Sequence, residues 1–181
     1  MAQKQTKTYF RLWTVADFET EEAFLREQHK QGWGFVKYVL PGFYTFEACT
    51  PEDVIYQLDF TDTGCSAHST YLQMFSDYGW EYVQSVNGFS YFRKPAAAHE
   101  PEDLTIFSDI QSKIDMIVKI TKRRLIPSLL IFLTCVLPYV MHSQFDGLWV
   151  FFAAMFVLYI ILMTHIAITL SKIKKKYQKG L

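Results

Sequence analysis

The sequence predicts an α+β protein: a tandem βαββ repeat building antiparallel sheet, followed by an amphipathic helix and a two-helix transmembrane hairpin. Three observations carry this expectation. An internal repeat of 46 to 47 residues runs through the first half, and two uncharged apolar runs, residues 125–141 and 148–170, fill the second. Charge is divided between them: residues 1–103 hold 15 Asp/Glu and 8 Lys/Arg, and residues 104–181 hold 3 and 10, although the 181-residue chain is formally neutral. The two halves therefore face different surroundings.

The repeat is read from residue identities. Tyr9, Trp13, Phe24, Leu25, Gly32, Trp33 and Val36 recur 47 positions later as Tyr56, Phe60, Tyr71, Leu72, Gly79, Trp80 and Val83. Gly42, Phe43 and Phe46 recur at 46 as Gly88, Phe89 and Phe92, so one turn residue is missing from the second copy. Residues 8–14 and 54–61, rich in aromatic and β-branched side chains, open each copy as strands. Residues 17–31 follow as a helix, with Glu19, Glu21 and Glu22 at its positive end, and residues 69–78 repeat the pattern more briefly. Gly32 and Gly79 stand where a helix ends in a left-handed residue. A Trp-led strand, a turn (Pro41-Gly42, Asn87-Gly88) and an aromatic strand complete each copy; Asn-Gly is a strong hairpin signal. One βαββ unit alone would leave a sheet face bare, so two copies are expected to bury a joint core.

Residues 1–94 thus form the duplicated domain, and 95–107, with two prolines and several small or acidic residues, a linker. Residues 108–124 read as an amphipathic helix, with Ile110, Ile114, Ile117 and Ile120 on one face and Asp115, Lys119 and Lys122 opposite. It can dock on the domain, pair with another copy or lie on lipid; its closeness to the first span favours the membrane surface. Pro127 is expected in the first turn of the first span and Pro138 near its far end, where it can kink the helix.

Orientation follows from flanking charge. Lys119, Lys122, Arg123 and Arg124 precede the first span, Lys172, Lys174, Lys175 and Lys176 follow the second, and the connecting loop 142–147 has no Lys or Arg. Both termini, including the basic tail 171–181, are expected on the cytoplasmic side of the cell membrane, with the basic clusters on anionic lipid head groups. The first residues lack the apolar core of a signal peptide. An acidic domain repels phosphate, and nucleic acid is not an expected partner.

Catalytic chemistry is not indicated. The histidines are dispersed, no nucleophile elbow or phosphate loop is present, and Cys49, Cys65 and Cys135 lack metal-binding or redox spacing. No enzyme activity, metal or cofactor is expected; His29, His68 and His99 read as surface or helix-end residues, and Glu21/Glu22 and Glu52/Asp53 as solvated helix starts and turns. Four positions are candidate ligand contacts. Arg11 and Asp59 are charges within apolar strands, able either to orient a ligand or to reach out to an edge; Trp33 and Trp80 follow the helix-ending glycines, as core plugs or as a binding box.

In its order of elements the duplicated unit resembles the gyrase-inhibitor-like effector-binding domains, shared by multidrug-responsive regulators and SOUL-type haem binders, where a doubled βαββ motif encloses a ligand pocket. That likeness is topological and implies small-molecule binding only by analogy. The stretches FRLWTVADFETEEAFLREQHKQGWGFVKYVLPGFYTFE, PEDVIYQLDF, YLQMFSDYGWEYV, SYFRKP and IFSDIQSKIDMI, followed by a basic segment and two spans, resemble the bacterial domain of unknown function numbered 2812 over nearly all of residues 8–171. The resemblance implies a membrane-associated protein, frequently encoded beside a PadR-type repressor, and carries no functional residues with it. The expected function is a membrane-anchored sensory or regulatory adaptor that binds a small apolar ligand or a protein. The alternative is a structural subunit, oligomeric or accessory to a regulator or transporter.

Overall fold

The computed structural model describes residues 5–60, 68–96, 110–142 and 147–178. They belong to two units, Met1–Ser108 and Asp109–Leu181. The first unit runs β1 (Thr6–Phe10), α1 (Phe18–Lys30), β2 (Trp33–Val39), β3 (Phe43–Ala48), β4 (Val54–Phe60), α2 (His68–Asp77), β5 (Glu81–Val86) and β6 (Phe89–Pro95). The strands form two three-stranded antiparallel sheets of identical order, β1-β3-β2 and β4-β6-β5. The duplication expected from the sequence is present in the topology.

Local chemistry explains the shared outline. Glu19 and Glu21 occupy the first turn of α1 and His29 and Lys30 its last, matching the helix dipole. Gly32 and Gly79 take φ of +86° and +78°, where a Cβ would be strained. Asn87 and Gly88, at +52° and +82°, close the β5–β6 hairpin with the left-handed pair that matches strand twist. The edge strands β2 and β5 carry a register shift at the same place, between Phe35 and Lys37 and, 47 residues on, between Tyr82 and Gln84.

The opening strands depart from the expected match. Phe10 opposes Phe43 and Phe60 opposes Phe89. Their ring centroids are 5.1 Å apart in both cases. Since Phe43 and Phe89 correspond at 46, Phe60 is the counterpart of Phe10 at 50, and the sequence match of Tyr9 with Tyr56 is displaced by three residues. An odd displacement reverses the faces. Tyr9 accordingly packs on Phe24 of its own helix, 5.9 Å between centroids, whereas Tyr56 meets His29 of the other repeat's helix.

Strand β1 also ends at Phe10, short of the expected residue 14. After the Arg11 N–H donates to the Gly42 carbonyl at 2.8 Å, the Asp17 carboxylate accepts from the Thr14 N–H and hydroxyl at 2.9 and 2.6 Å and turns the chain into α1. Two aromatic cores result. Phe75, Trp80 and Phe92, with Ile55, Tyr71, Leu72 and Tyr82, fill the space between α2 and its sheet. Phe24, Phe35, Tyr44 and Phe46 pack largely edge-on or tilted beneath α1, a geometry worth about 0.5–1.5 kcal/mol per pair beyond burial.

In the second unit one helical run extends from Ile110 to His142 as α3 (Ile110–Ile120), α4 (Ile126–Ile131) and α5 (Leu137–His142), joined by π turns at Thr121–Leu125 and Phe132–Val136. Pro127 is therefore internal to a longer helix and not in its first turn. Each proline lies two residues past a π turn, whose wider bonding takes up the bond and space the ring removes. The expected linker 95–107 mostly falls outside the described residues, as does the connecting loop between His142 and Gly147; Pro95 belongs to β6.

Helix α6 (Gly147–Gln178) runs antiparallel to the first. Phe132 stacks on Tyr159 at 4.0 Å and 12°, Tyr159 donates to Ser128 Oγ at 3.2 Å, and Trp149 Nε1 donates to the Val140 carbonyl at 3.0 Å. Ile114–His142 and Leu148–Tyr177 are long and apolar enough to cross a membrane, and little of either is covered by protein. The amphipathic stretch continues into the first of these helices and contacts α6, where Ile166, Leu170 and Ile173 are buried. Lys172, Lys174, Lys175 and Lys176 continue α6.

Glycine substitutions test the backbone assignments. Gly32→Ala and Gly79→Ala should each cost about 1–2 kcal/mol in urea unfolding of the full chain. Gly42→Ala should cost more than either, because its Cβ would overlap the Arg11 carbonyl oxygen.

Candidate functional site

Helix α1 belongs to the first repeat and binds the second. Arg26 grips Asp53 through two bonds of 2.6 and 2.7 Å, joined by Lys30 at 3.4 Å. These groups are exposed enough that the pair contributes at most about 1 kcal/mol; the Arg26 hydrogen bond holds the Asp53 carboxyl below its usual range. Glu22 accepts from the Leu58 N–H at 2.8 Å, satisfying a donor on edge strand β4. On the opposite side of the domain the sheets meet along β2 and β5: Phe35 lies 5.4 Å from Tyr91, and Arg93 and Gln84 donate to the carbonyls of Phe35 and Tyr38 at 3.4 Å.

Glu21 joins the halves at the centre. One carboxylate oxygen, Oε1, accepts from both the Tyr44 hydroxyl at 2.7 Å and the Tyr91 hydroxyl at 2.6 Å, and all three residues are buried. Burial pushes the Glu21 carboxyl above its usual range, an effect the two hydroxyls only partly offset. Burial, reinforced by the Glu21 charge, raises Tyr44 and Tyr91 still further, so both remain protonated donors. Glu21 thus differs from the solvated helix-start acid expected of it. His29 differs likewise: it is buried, with Nδ1 2.7 Å from the Tyr56 hydroxyl, which itself accepts from the Phe35 N–H at 3.2 Å. Burial, then the nearby Arg93 charge, lowers its pKa, and a phenol donating to Nδ1 suits the resulting neutral ring.

Above this closed interior, at the seam between the repeats, opens a groove of about 480 Å³. Tyr82 supplies its accessible aromatic surface, the buried Phe35 lies behind the lining, Val36 forms the wall at the register shift, and Glu47, Glu52, Glu81 and Arg93 are its charged residues. Arg93 is committed to Glu81 through two bonds of 2.6 and 2.7 Å, and the Glu52 carboxylate adds a negative charge to the groove wall. The size lies within the range of small-molecule sites.

The four ligand contacts expected from the sequence do not line this groove and are not brought together. Arg11 lies just beyond β1, its guanidinium 4.7 Å from the Phe24 ring. Trp33 is half-buried beside Lys7, Asp59 accepts from the Tyr71 hydroxyl at 2.7 Å, and Trp80 is a core residue under Lys94. Groove residues such as Glu47 and Arg93 carry no local motif; the equal placement of Val36 and Val83 in the two copies is the only sequence signal that touches it. Among the described residues no group of three or more His, Cys, Asp or Glu could hold a metal ion. His68, His99 and Cys65 have side chains outside the described set.

These features define a class: a duplicated βαββ domain with a groove between its halves, carried in one chain with two long apolar helices. The chain belongs to the family described as protein of unknown function, DUF2812, which it matches over residues 17–129. The matched region begins at the residue preceding α1 and ends inside the first apolar helix, a shorter span than the 8–171 of the resemblance. No curated protein and no solved structure matches the chain.

The Glu21 junction has a definite pH signature. A carboxyl whose folded pKa is raised contributes stability that is full below its ordinary value of 4.5 and is lost as pH rises through the folded value. In urea titrations Glu21→Gln, which keeps an acceptor oxygen for both tyrosines, should abolish that fraction of the decline seen in wild type. Glu21→Ala, leaving two buried hydroxyls without an acceptor, should destabilise by about 2–4 kcal/mol at any pH.

Proposed function

We propose that the protein is a membrane-anchored sensory or regulatory adaptor whose duplicated domain captures a small amphipathic molecule in the groove between the repeats. The observation that carries this reading is the groove itself, built from both halves above a filled core. Its aromatic surface suits an apolar body. The Glu52 carboxylate, beside an Arg93 already paired with Glu81 and a neutral His29, favours a ligand with a positive end. Among the described residues no group of three or more His, Cys, Asp or Glu could hold a metal ion beside it, and the groove supports a binding role.

The anchor rests on the two apolar helices and their flanks. Lys119, Lys122, Arg123 and Arg124 border the first and Lys172, Lys174, Lys175 and Lys176 the second, a charge pattern that supports an orientation with both termini in the cytoplasm beside anionic head groups. A second reading, an assembly subunit serving another copy, a regulator or a transporter, is favoured by one observation: Phe10, Leu12, Val39, Leu40 and Phe43 are exposed together at one end of the first sheet.

Calorimetric titration of the full chain in nanodiscs with a series of amphipathic cations tests the ligand. Binding should be abolished by Val36→Trp, which fills the groove from an exposed position, and weakened about tenfold by Glu47→Gln with Glu52→Gln, a loss near 1.4 kcal/mol. Titrations with no heat from any cation, or unaltered by Val36→Trp, would remove the proposal. Topology is tested separately by labelling Ser143→Cys in intact cells. Modification by an impermeant reagent added outside is expected, and access from the cytoplasm alone contradicts the orientation.

A further inference from the structure

The duplication supplies an internal control for the groove, and one position in it fails to match. Where β5 pairs with β6, Glu81 opposes Arg93, and the two side chains lie across the strands in their bidentate ion pair. The same place in the first sheet pairs Gly34 with Glu47, so β2 contributes no side chain there. The backbone does not demand this glycine. Gly34 lacks the positive φ of Gly32, and a methyl group added to it would stand 3.4 Å from Cys49 Sγ and 3.7 Å from His29 Cε1, ordinary contact distances. Glycine inside a strand lowers stability relative to alanine. Its effect here is to leave a bare spot on the groove wall between the Cys49 thiol and the edge of the His29 ring, as strand glycines do where a ligand approaches closely.

We propose that the positive end of the groove's ligand seats beside the His29 ring at this spot, where the ligand and a proton on the imidazole exclude one another. The inference rests on the ligand reading above. The ring is held in place for it: Nδ1 lies 2.7 Å from the Tyr56 hydroxyl, which in turn accepts from the Phe35 N–H at 3.2 Å. The charged and titratable groups around the ring are the Tyr56 phenol on β4, Arg93 on β6, Glu81 on β5, Glu47 on β3 with Cys49 just after it, and Glu52 before β4. Burial keeps the phenol protonated, Arg93 and Glu81 offset each other in their ion pair, and the exposed Glu52 adds attraction for a cation. Burial, then the Arg93 charge, holds the imidazole below its ordinary value of 6.5, so the ring is neutral at neutral pH. A proton taken up in acid places a second positive charge beside the seat, enough to weaken cation binding about tenfold. Linkage is reciprocal, and a bound cation lowers the proton affinity of His29 by the same factor.

Calorimetric titration of the full chain in phosphatidylcholine nanodiscs, from about pH 8 to about pH 5, tests this with two probes. Tetraphenylphosphonium is charged at every pH, and triphenylphosphine oxide is neutral and similar in shape. Wild-type affinity for the cation should be constant above pH 6.5 and fall about tenfold as His29 takes up its proton, with no change for the neutral probe. His29→Asn, whose amide oxygen keeps an acceptor for the Tyr56 hydroxyl, should bind the cation without that fall. In the unsubstituted chain the His29 ring resonances, followed by NMR, should titrate about one pH unit lower with the cation bound. A fall shared by the neutral probe, or retained in His29→Asn, overturns the proposal. So does a His29 titration indifferent to the cation, which decides the matter even where the variant does not fold. Cation binding without pH dependence removes this inference and leaves the groove reading standing; absence of cation binding at the alkaline end removes both.

Discussion

The architecture of the domain depends on a single carboxylate oxygen. Glu21 Oε1 receives one hydroxyl from β3 and another from β6, strands of different repeats 46 to 47 residues apart, while its own helix lies between them. A buried carboxylate is costly to desolvate, and replacing such a group by apolar packing is often no less stable. Its value is geometric. Two short bonds to one atom fix the distance between the sheets and the rotation of α1, and α1 in turn delivers Glu22 to the β4 edge, Arg26 to Asp53 and His29 to Tyr56. Remove that reference point and each contact between the repeats must find its position alone.

A filled centre pushes any ligand outward. Because Tyr44, Tyr91, Phe35 and Tyr56 occupy the space between the sheets, the free volume shared by the repeats lies at the seam, where β2 and β5 adjoin without forming one sheet. The register shifts at Val36 and Val83 sit on that seam and bend both strands there. A site of this kind is assembled only when the halves are correctly docked, so occupancy of the groove and integrity of the junction are linked thermodynamically.

What the sequence made legible was whatever local chemistry dictates. Glycines with positive φ, the Asn-Gly hairpin and acids at the α1 start all act within a few residues and were found where expected, as were the aromatic strands other than the first. The burial of Glu21 was not legible, since its partner Tyr91 is 70 residues away and the surrounding sequence is that of an ordinary acidic helix start. His29 stands at the helix end as expected, but its burial against Tyr56, 27 residues away, was not legible for the same reason. Residues 11–13 continue an apolar alternation that reads as strand, but the Thr14–Asp17 turn draws the chain off the sheet first. Conversely the apolar helices were legible almost to their ends, because a long uncharged run needs no partner to declare itself, whereas the π turns beside Pro127 and Pro138 leave no mark in composition.

The three-residue displacement between the opening strands has a consequence for assembly. Duplicated domains with interchangeable halves can exchange them between molecules, and each half then serves as a template for open-ended polymers. Here β4 set in the place of β1, with Phe60 opposite Phe43, would carry Tyr56 and Leu58, buried in their own sheet, to the exposed sites of Thr6 and Thr8. The chain thereby distinguishes its own two halves, and a crowded array of these proteins is protected against knitting together through the repeat that built them.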